Sequence, residues 1–237
     1  MGKDGSGRSL EKGALTRERT LFHGRRKARP IRAGRQDAMD AVLPKIQITH
    51  DQLDSGLRRG DESVSGFRET WLEIGFGNGD ALAAWHRAHP DIGFIGCEPF
   101  INGVSNLCKL VAEDDLSNLR IWNDVAQPLI DALPDVSIDR IYLLNPDPWP
   151  KKRHAKRRFI QQESLSALAR ILKPGGVLTM TTDHAALAEW MGAHADAHPA
   201  FQGSASHTPP EGWLPTRYEG KGRDAGRRQV YLTCRKI

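Results

Sequence analysis

The sequence predicts an α/β domain built on a doubly wound, Rossmann-like sheet and preceded by a basic, disordered N-terminal arm. Three observations lead there. From Glu69 onward short apolar runs alternate with stretches of helical periodicity, five of the runs close on a carboxylate, and positive charge is concentrated before residue 36. Alternating strands and helices imply a parallel sheet with right-handed crossovers, and open sheets of that kind bind ligands at the carboxyl ends of their strands. At 237 residues with 39% apolar content, the chain can bury one substantial core.

The arm, residues 1–45, comes first. Residues 1–36 carry eleven Lys/Arg against Asp4, Glu11 and Glu18, a net of +8, so the chain total of +5 leaves −3 for the remainder. Charge this local suits phosphate binding better than mere solubility. Gly, Arg and Ser dominate residues 1–36, with too few apolar residues to offset the entropy of ordering. Val42, Leu43, Ile46 and Ile48 then lead into a loop rich in Gly and charge, Gly56 to Gly66, and the folded domain is expected over 46–237.

Thr70 to Ile74 reads as the first strand, closed by Gly75-Phe76-Gly77-Asn78-Gly79-Asp80, with a helix through Ala81, Leu82, Ala84 and Trp85. Ile92 to Cys97 is the second, closing at Glu98-Pro99 and followed by a helix through Val104, Leu107, Leu110 and Val111. Leu119 to Trp122, closing at Asn123-Asp124, is the third strand, and Ile138 to Leu144 the fourth. Phe159 to Leu172 places Leu165, Leu168, Ala169 and Leu172 at helical spacing. Lys173-Pro174-Gly175-Gly176 ends that helix, and Val177 to Thr181 is the fifth strand, closing at Thr182-Asp183. A helix around Ala185 to His194, a loop rich in Pro, Gly and basic residues over His207 to Arg228, and a final strand Val230 to Cys234 complete the chain.

Glu73, Glu98, Asp124, Asp147 and Asp183 thus converge on one sheet edge, where they would repel one another unless a cation or many hydroxyl donors lay between them. Gly75, Gly77 and Gly79 let the backbone turn tightly and approach a ligand. No Lys-Ser/Thr follows them as in a phosphate-binding loop, and Asp80 stands where a dinucleotide fingerprint needs Gly. Glu98 is placed to accept hydrogen bonds from both ribose hydroxyls of a nucleoside cofactor, and Asp124 from the exocyclic amine of adenine. Beyond the fourth strand, Asn145-Pro146-Asp147-Pro148-Trp149-Pro150 presents a carboxylate and an indole among prolines that cannot join a ladder. Six Lys/Arg follow in the eight residues Lys151 to Arg158, which puts a reactive group next to a polyanion.

Other chemistry is not suggested. Cys97, Cys108 and Cys234 lie far apart and form neither a disulfide framework nor a thiolate zinc site. His194 and His198, at metal-friendly helical spacing, lack a third ligand and read as a solvated helix face. With no apolar run of membrane-spanning length and no apolar core of the signal-peptide kind, the expectation is a cytoplasmic protein.

Together these motifs resemble class I S-adenosylmethionine-dependent methyltransferases. Pro146-Asp147-Pro148-Trp149, the following Lys, Arg-His and Lys-Arg-Arg, Thr182-Asp183, and Thr216-Arg217-Tyr218-Glu219-Gly220-Lys221-Gly222 are similar to the bacterial tRNA (guanine-N7)-methyltransferase family, from about residue 69 to the end and more loosely around Arg19 to Arg35. The resemblance implies S-adenosyl-L-methionine as cofactor, tRNA as partner, and N7 of a guanine in the variable loop, position 46, as target. It implies that Glu73, Glu98, Asp124 and Asp147 face the cofactor together with the three-glycine turn, and that Asp147 is catalytic. Lys151, Asp183, Thr216, Arg217, Tyr218 and Glu219 are implied to face the substrate, with no metal and no membrane involved and the chain acting as a monomer or homodimer. Asn145 stands where Phe is common in that family, and Leu187 where an aromatic often follows the Thr-Asp pair.

Guanine N7 carries an in-plane lone pair that base pairing leaves free. It needs no deprotonation, so the enzyme must chiefly align nucleophile, methyl and leaving sulfur. Asp147 is accordingly expected to orient the guanine edge and stabilise the charge that develops on it. A non-catalytic RNA-binding protein and a methyltransferase for a small amine or protein side chain are the alternatives. The first has no use for a carboxylate at each strand end, and the second none for a basic arm.

Overall fold

The computed structural model describes residues 24–57, 67–114 and 116–237. Strands β1 (Glu69–Ile74), β2 (Ile92–Cys97), β3 (Leu119–Trp122), β4 (Ile138–Leu144) and β5 (Leu172–Thr182) run parallel, while β6 (Phe201–Ser206) and β7 (Val230–Lys236) add an antiparallel extension. The order across the sheet is β3-β2-β1-β4-β5-β7-β6. It reverses between β1 and β4, and a crevice at such a switch point is where doubly wound sheets hold their ligands. The same order lines up the residues that follow each strand: Asp124, Glu98, the β1 turn, Asp147 and Asp183 stand along one edge.

Helices α1 (Ala33–Ile46), α3 (Asp80–Ala88) and α4 (Ile101–Asp114) cover one face of the sheet. The other carries α2 (His50–Ser55), α5 (Ala126–Ala132), α6 (Gln162–Ile171) and α7 (Ala185–Asp196). Because successive strand residues point to opposite faces, Trp71 joins the core that holds Leu82, Leu107 and Val42 while Leu72 joins the one that holds Leu129, Leu165 and Met191. The strands are apolar on both sides because both faces are covered. Cys97, Cys108 and Cys234 are buried free thiols.

Several expectations need correction. The arm's residues 1–23 lie outside the described residues, but residues 33–46 form α1, so the expected boundary at 45/46 falls in that helix's last turn. Val42 and Ile46 are buried against α4, and Ile48 N–H donates to Ile121 O at 2.7 Å, which fixes the helix to the sheet. The Lys173 to Gly176 turn belongs to β5 as an irregularity: Leu172 pairs with Ile138 and Val177 with Arg140, so the residues between loop out. The stretch expected as one loop over 207–228 contains α8 (Arg217–Asp224). His198 is not solvated: its ring is buried, with Nε2 3.0 Å from Ser166 Oγ, while His194 stacks on Trp190.

Candidate active site

The glycine turn after β1 takes positive φ at Gly75, Gly77 and Gly79, and it lies against the N-terminal turn of α4. A Cβ on Gly103 would stand 2.0 Å from Gly77 O, so only glycine there allows the two backbones to meet. Glu98 fastens the same junction: Oε2 accepts from Gly77 N–H at 2.8 Å and Oε1 from Phe100 N–H at 2.8 Å. Each oxygen keeps a lone pair for a further donor. Burial pushes the Glu98 carboxyl up, the two N–H bonds pull it down, and the charge of Asp147 adds a smaller upward push.

Glu73 is 3% exposed, and its Oε2 is buried without a hydrogen-bonding partner among the described residues. Burial, then the charges of Glu98 and Asp80, push its carboxyl up to about 8. It lines a cleft of about 370 Å³ with the glycine turn, Asp80, Asn145, Thr216, Arg217 and Tyr218. Asp124, further along the edge, accepts from Val125 N–H and pairs with Arg26 at 2.7 Å. Residues 24–32 bring Arg26 there by docking on α4: Ile101 N–H donates to Arg26 O at 3.0 Å, and Asn102 bonds Ala28 N–H and Arg29 O. The basic segment therefore reaches the carboxyl edge of the sheet, which its composition did not announce.

Asn145 and Trp149 both have positive φ, +47° and +41°, an uncommon conformation for residues with a side chain. Arg158 holds the segment between them and the following turn. Its guanidinium donates to Pro148 O and Trp149 O at 3.2 and 3.3 Å and lies 4.7 Å from the Trp190 ring centroid. Arg157 stacks 5.0 Å over Trp149. Two of the six cations expected to meet a polyanion thus support the loop instead, whereas Lys151, Lys152, Arg153 and Lys156 are exposed. Asp147 is exposed on this fixed loop and makes no hydrogen bond or ion pair with another described residue.

A second cleft, of about 680 Å³, is lined by Asn145, Pro146, Pro148, Asp183, His184, Tyr218, Lys221 and Arg227 among others. Asn145 and Tyr218 line both clefts, so the two meet there. Asp183 pairs with Arg227 at 2.7 Å, and a Cβ on Gly222 would come within 2.9 Å of its Oδ2. Tyr218 is 54% exposed at the clefts' junction, with Lys221 Nζ 5.6 Å from its ring centroid.

Glu219 is placed differently from the expectation. It is buried, lines neither cleft, and accepts from Trp213 Nε1, Thr216 N–H and the Tyr231 hydroxyl. Thr216 Oγ1 accepts in return from Glu219 N–H at 3.1 Å, which makes the pair the capping box of α8. Its work is to hold Thr216, Arg217 and Tyr218 at the cleft. Glu219→Ala should lower the unfolding free energy by roughly 3 kcal/mol, since it strands several buried donors. Urea unfolding of the two proteins checks this, and a change below about 0.5 kcal/mol would contradict it.

A family model described as "Putative methyltransferase" matches residues 68–232. A protein of Rhodospirillum rubrum named tRNA (guanine-N(7)-)-methyltransferase is 39% identical over 226 residues, which cover 92% of this chain and 89% of that one. The chain belongs to this family. Its member from Agrobacterium fabrum, of the same name, is 40% identical over 92% of this chain and 96% of its own. Among solved structures, the 16S rRNA methyltransferase KamB shares the fold with a TM-score of 0.55 at 16% identity, over 75% of this chain and 92% of that one. The aminoglycoside resistance methyltransferase NpmB1 does so with a TM-score of 0.55 at 18% identity, over 81% and 95%.

One cleft gathers Glu73, Gly75 and Gly77, expected at the cofactor, with Thr216 to Tyr218, expected at the substrate, and its neighbour holds Asp183, whereas Gly79, Glu98, Asp124, Asp147 and Lys151 line neither. Sequence reasoning missed Gly103, Asp80, Arg227 and His184. Gly103 and Asp80 lie on helices whose glycine or acidic residue looked ordinary, and their importance rests on what approaches them in space.

Proposed function

We propose that this protein transfers a methyl group from S-adenosyl-L-methionine to N7 of a guanine in tRNA, with position 46 of the variable loop as the target. The observation that carries the reading is the meeting of two clefts at one sheet edge. The inner is walled by a glycine turn, the buried Glu73 and the half-buried Asp80, and the outer is rimmed by Lys221 and Arg227 with Asp183 within it. Identity of 39% to a tRNA (guanine-N(7)-)-methyltransferase along nearly the full chain supports the same chemistry.

The residues of the inner cleft fit such a cofactor. Glu73 Oε2 is a buried acceptor with no donor among the described residues, the Gly77–Gly103 approach leaves backbone open where side chains would intrude, and Asp80 and Arg217 flank it with both signs of charge. Glu98 would accept ribose hydroxyls with its remaining lone pairs, Asp124 the adenine amine, and Glu73 the cofactor's ammonium. The bound cofactor supplies a methyl on a cationic sulfur. Asp147 then has one task, to hold the guanine edge and stabilise the positive charge as it passes to the base, since N7 has no proton to lose. Lys151 and its exposed neighbours would contact phosphates.

Incubation with bulk tRNA and labelled methyl donor, followed by reduction and aniline treatment, tests this. N7-methylguanosine breaks the chain under that treatment, and the break maps the position. Label without breaks would rule out N7, and breaks only elsewhere would rule out position 46. Deleting residues 1–23, which hold five Lys/Arg, should lower tRNA affinity and flatten its log–log salt dependence by up to about four units. An unchanged slope would leave the phosphate contacts to cations beyond residue 23, those of Arg25 to Arg35 and of the Lys151 to Arg158 run.

A further inference from the structure

Among the described residues, Glu73 Oε2, Asn145 Nδ2, Arg157 Nε and His184 Nδ1 are buried side-chain atoms without a hydrogen-bonding partner. A buried donor left unpaired is costly, and native proteins keep few of them. Three of the four belong to residues that line the two clefts, and Asn145 alone of these lines both. Its backbone is fixed, with N–H donating to Thr181 O at 3.0 Å. Its amide is oriented as well: Gln229 Nε2 donates to Asn145 Oδ1 at 2.8 Å, which leaves the amino group as the unpaired end.

We propose that Asn145 reads the target base, its Nδ2 donating a hydrogen bond to guanine O6 where the two clefts meet. The inference rests on the reading of the substrate as a tRNA guanine. Guanine presents two adjacent acceptors on one edge, N7 and O6, whereas adenine presents N7 beside an amine. N7 must keep its lone pair for the methyl group, so a protein donor at this edge belongs on O6. A contact there turns N7 toward the inner cleft, and an adenine in the same pose would set its amine against the Asn145 amino group. The cofactor's carboxylate is an acceptor of similar chemistry, but Arg217 in the inner cleft offers it a charged donor, and cofactor affinity separates the two assignments.

The test uses full-length protein and tRNA transcripts in which the target guanine, once mapped, is kept or replaced by 2-aminopurine, which retains N7 and lacks O6. Wild type should prefer guanine in single-turnover rate by about 10- to 100-fold, the range for stranding a buried donor. Asn145→Gly keeps the positive φ and removes the amide. It should lower the guanine rate by about that factor and the 2-aminopurine rate much less, so that the ratio falls by about that factor, with cofactor affinity by calorimetry falling far less. Asn145→Asp, which retains shape and also tolerates positive φ, should lose the guanine preference in the same way. A ratio equal to wild type in the folded variants would overturn the proposal. So would a loss of cofactor affinity with the ratio intact, which would assign the amide to the cofactor. Wild type that leaves the guanine transcript unmethylated would instead reject the activity itself, and this inference with it.

Discussion

Asp147→Ala should lower the single-turnover rate of methyl transfer by roughly two to three orders of magnitude, the loss seen when a preorganised contact to developing charge is removed. Cofactor and tRNA affinities should fall much less, because an interaction that strengthens in the transition state acts mainly on the rate. The fold should be unaffected, as the side chain is exposed and makes no bond to another described residue. Asp147→Asn separates two roles. If the carboxylate only positions the base, Asn keeps an acceptor oxygen and appreciable activity; if charge matters, Asn is nearly as poor as Ala. A residue that removed a proton would give the wild type an acidic limb in its pH–rate profile that disappears in Asn. Finding that limb, with tRNA binding constant over the same pH range, would refute the electrostatic role.

Glu73→Gln should make the protein more stable and a worse binder of its cofactor. The Glu73 carboxyl is held at about 8, above its ordinary 4.5, chiefly by burial. The folded state therefore prefers the neutral form. Its stabilising effect is complete below the unfolded value of 4.5 and is lost as pH rises toward 8, at about 1.4 kcal/mol per pH unit. At pH 7 the loss relative to pH 4.5 is on the order of 3 kcal/mol, and glutamine, which cannot ionise, avoids it. The variant's advantage in unfolding free energy should grow between pH 5 and pH 8 and then level off. Cofactor affinity should drop at least tenfold, as one charge-assisted bond is worth roughly 1.5 to 3 kcal/mol. Calorimetry in two buffers of different ionisation enthalpy should show proton release on cofactor binding to wild type near pH 7 and none in the variant. Equal release by both proteins would remove Glu73 from the site.

The parallel core and its ligand edge were legible because each strand ends in a pair such as Glu98-Pro99 or Thr182-Asp183, where an apolar run meets a residue that cannot continue it. Helix α1 was not, because Pro44 and its polar neighbours mask an apolar stripe that only α4 completes. Helix α8 was hidden by Gly220, Gly222 and five charged residues. Its capping pair was in view as Thr216 and Glu219, three residues apart, but the resemblance drew both toward the substrate. Arg158 shows the same limit from the other side. Nothing in a run of cations tells which one turns inward, since that depends on carbonyls and a Trp190 ring brought in from elsewhere.

The alternation of Pro146, Pro148 and Pro150 with Asn145, Asp147 and Trp149 has an entropic consequence. Three of the six residues have φ set by a ring, and two of the others sit at positive φ, with Arg158 bonded to the carbonyls of Pro148 and Trp149. Few conformations remain for this segment to lose. Ordering a free backbone costs about 1 to 2 kcal/mol per residue, and here that cost falls on folding, before any substrate arrives. The carboxylate of Asp147 is thus presented on a loop that need not be organised anew at each turnover.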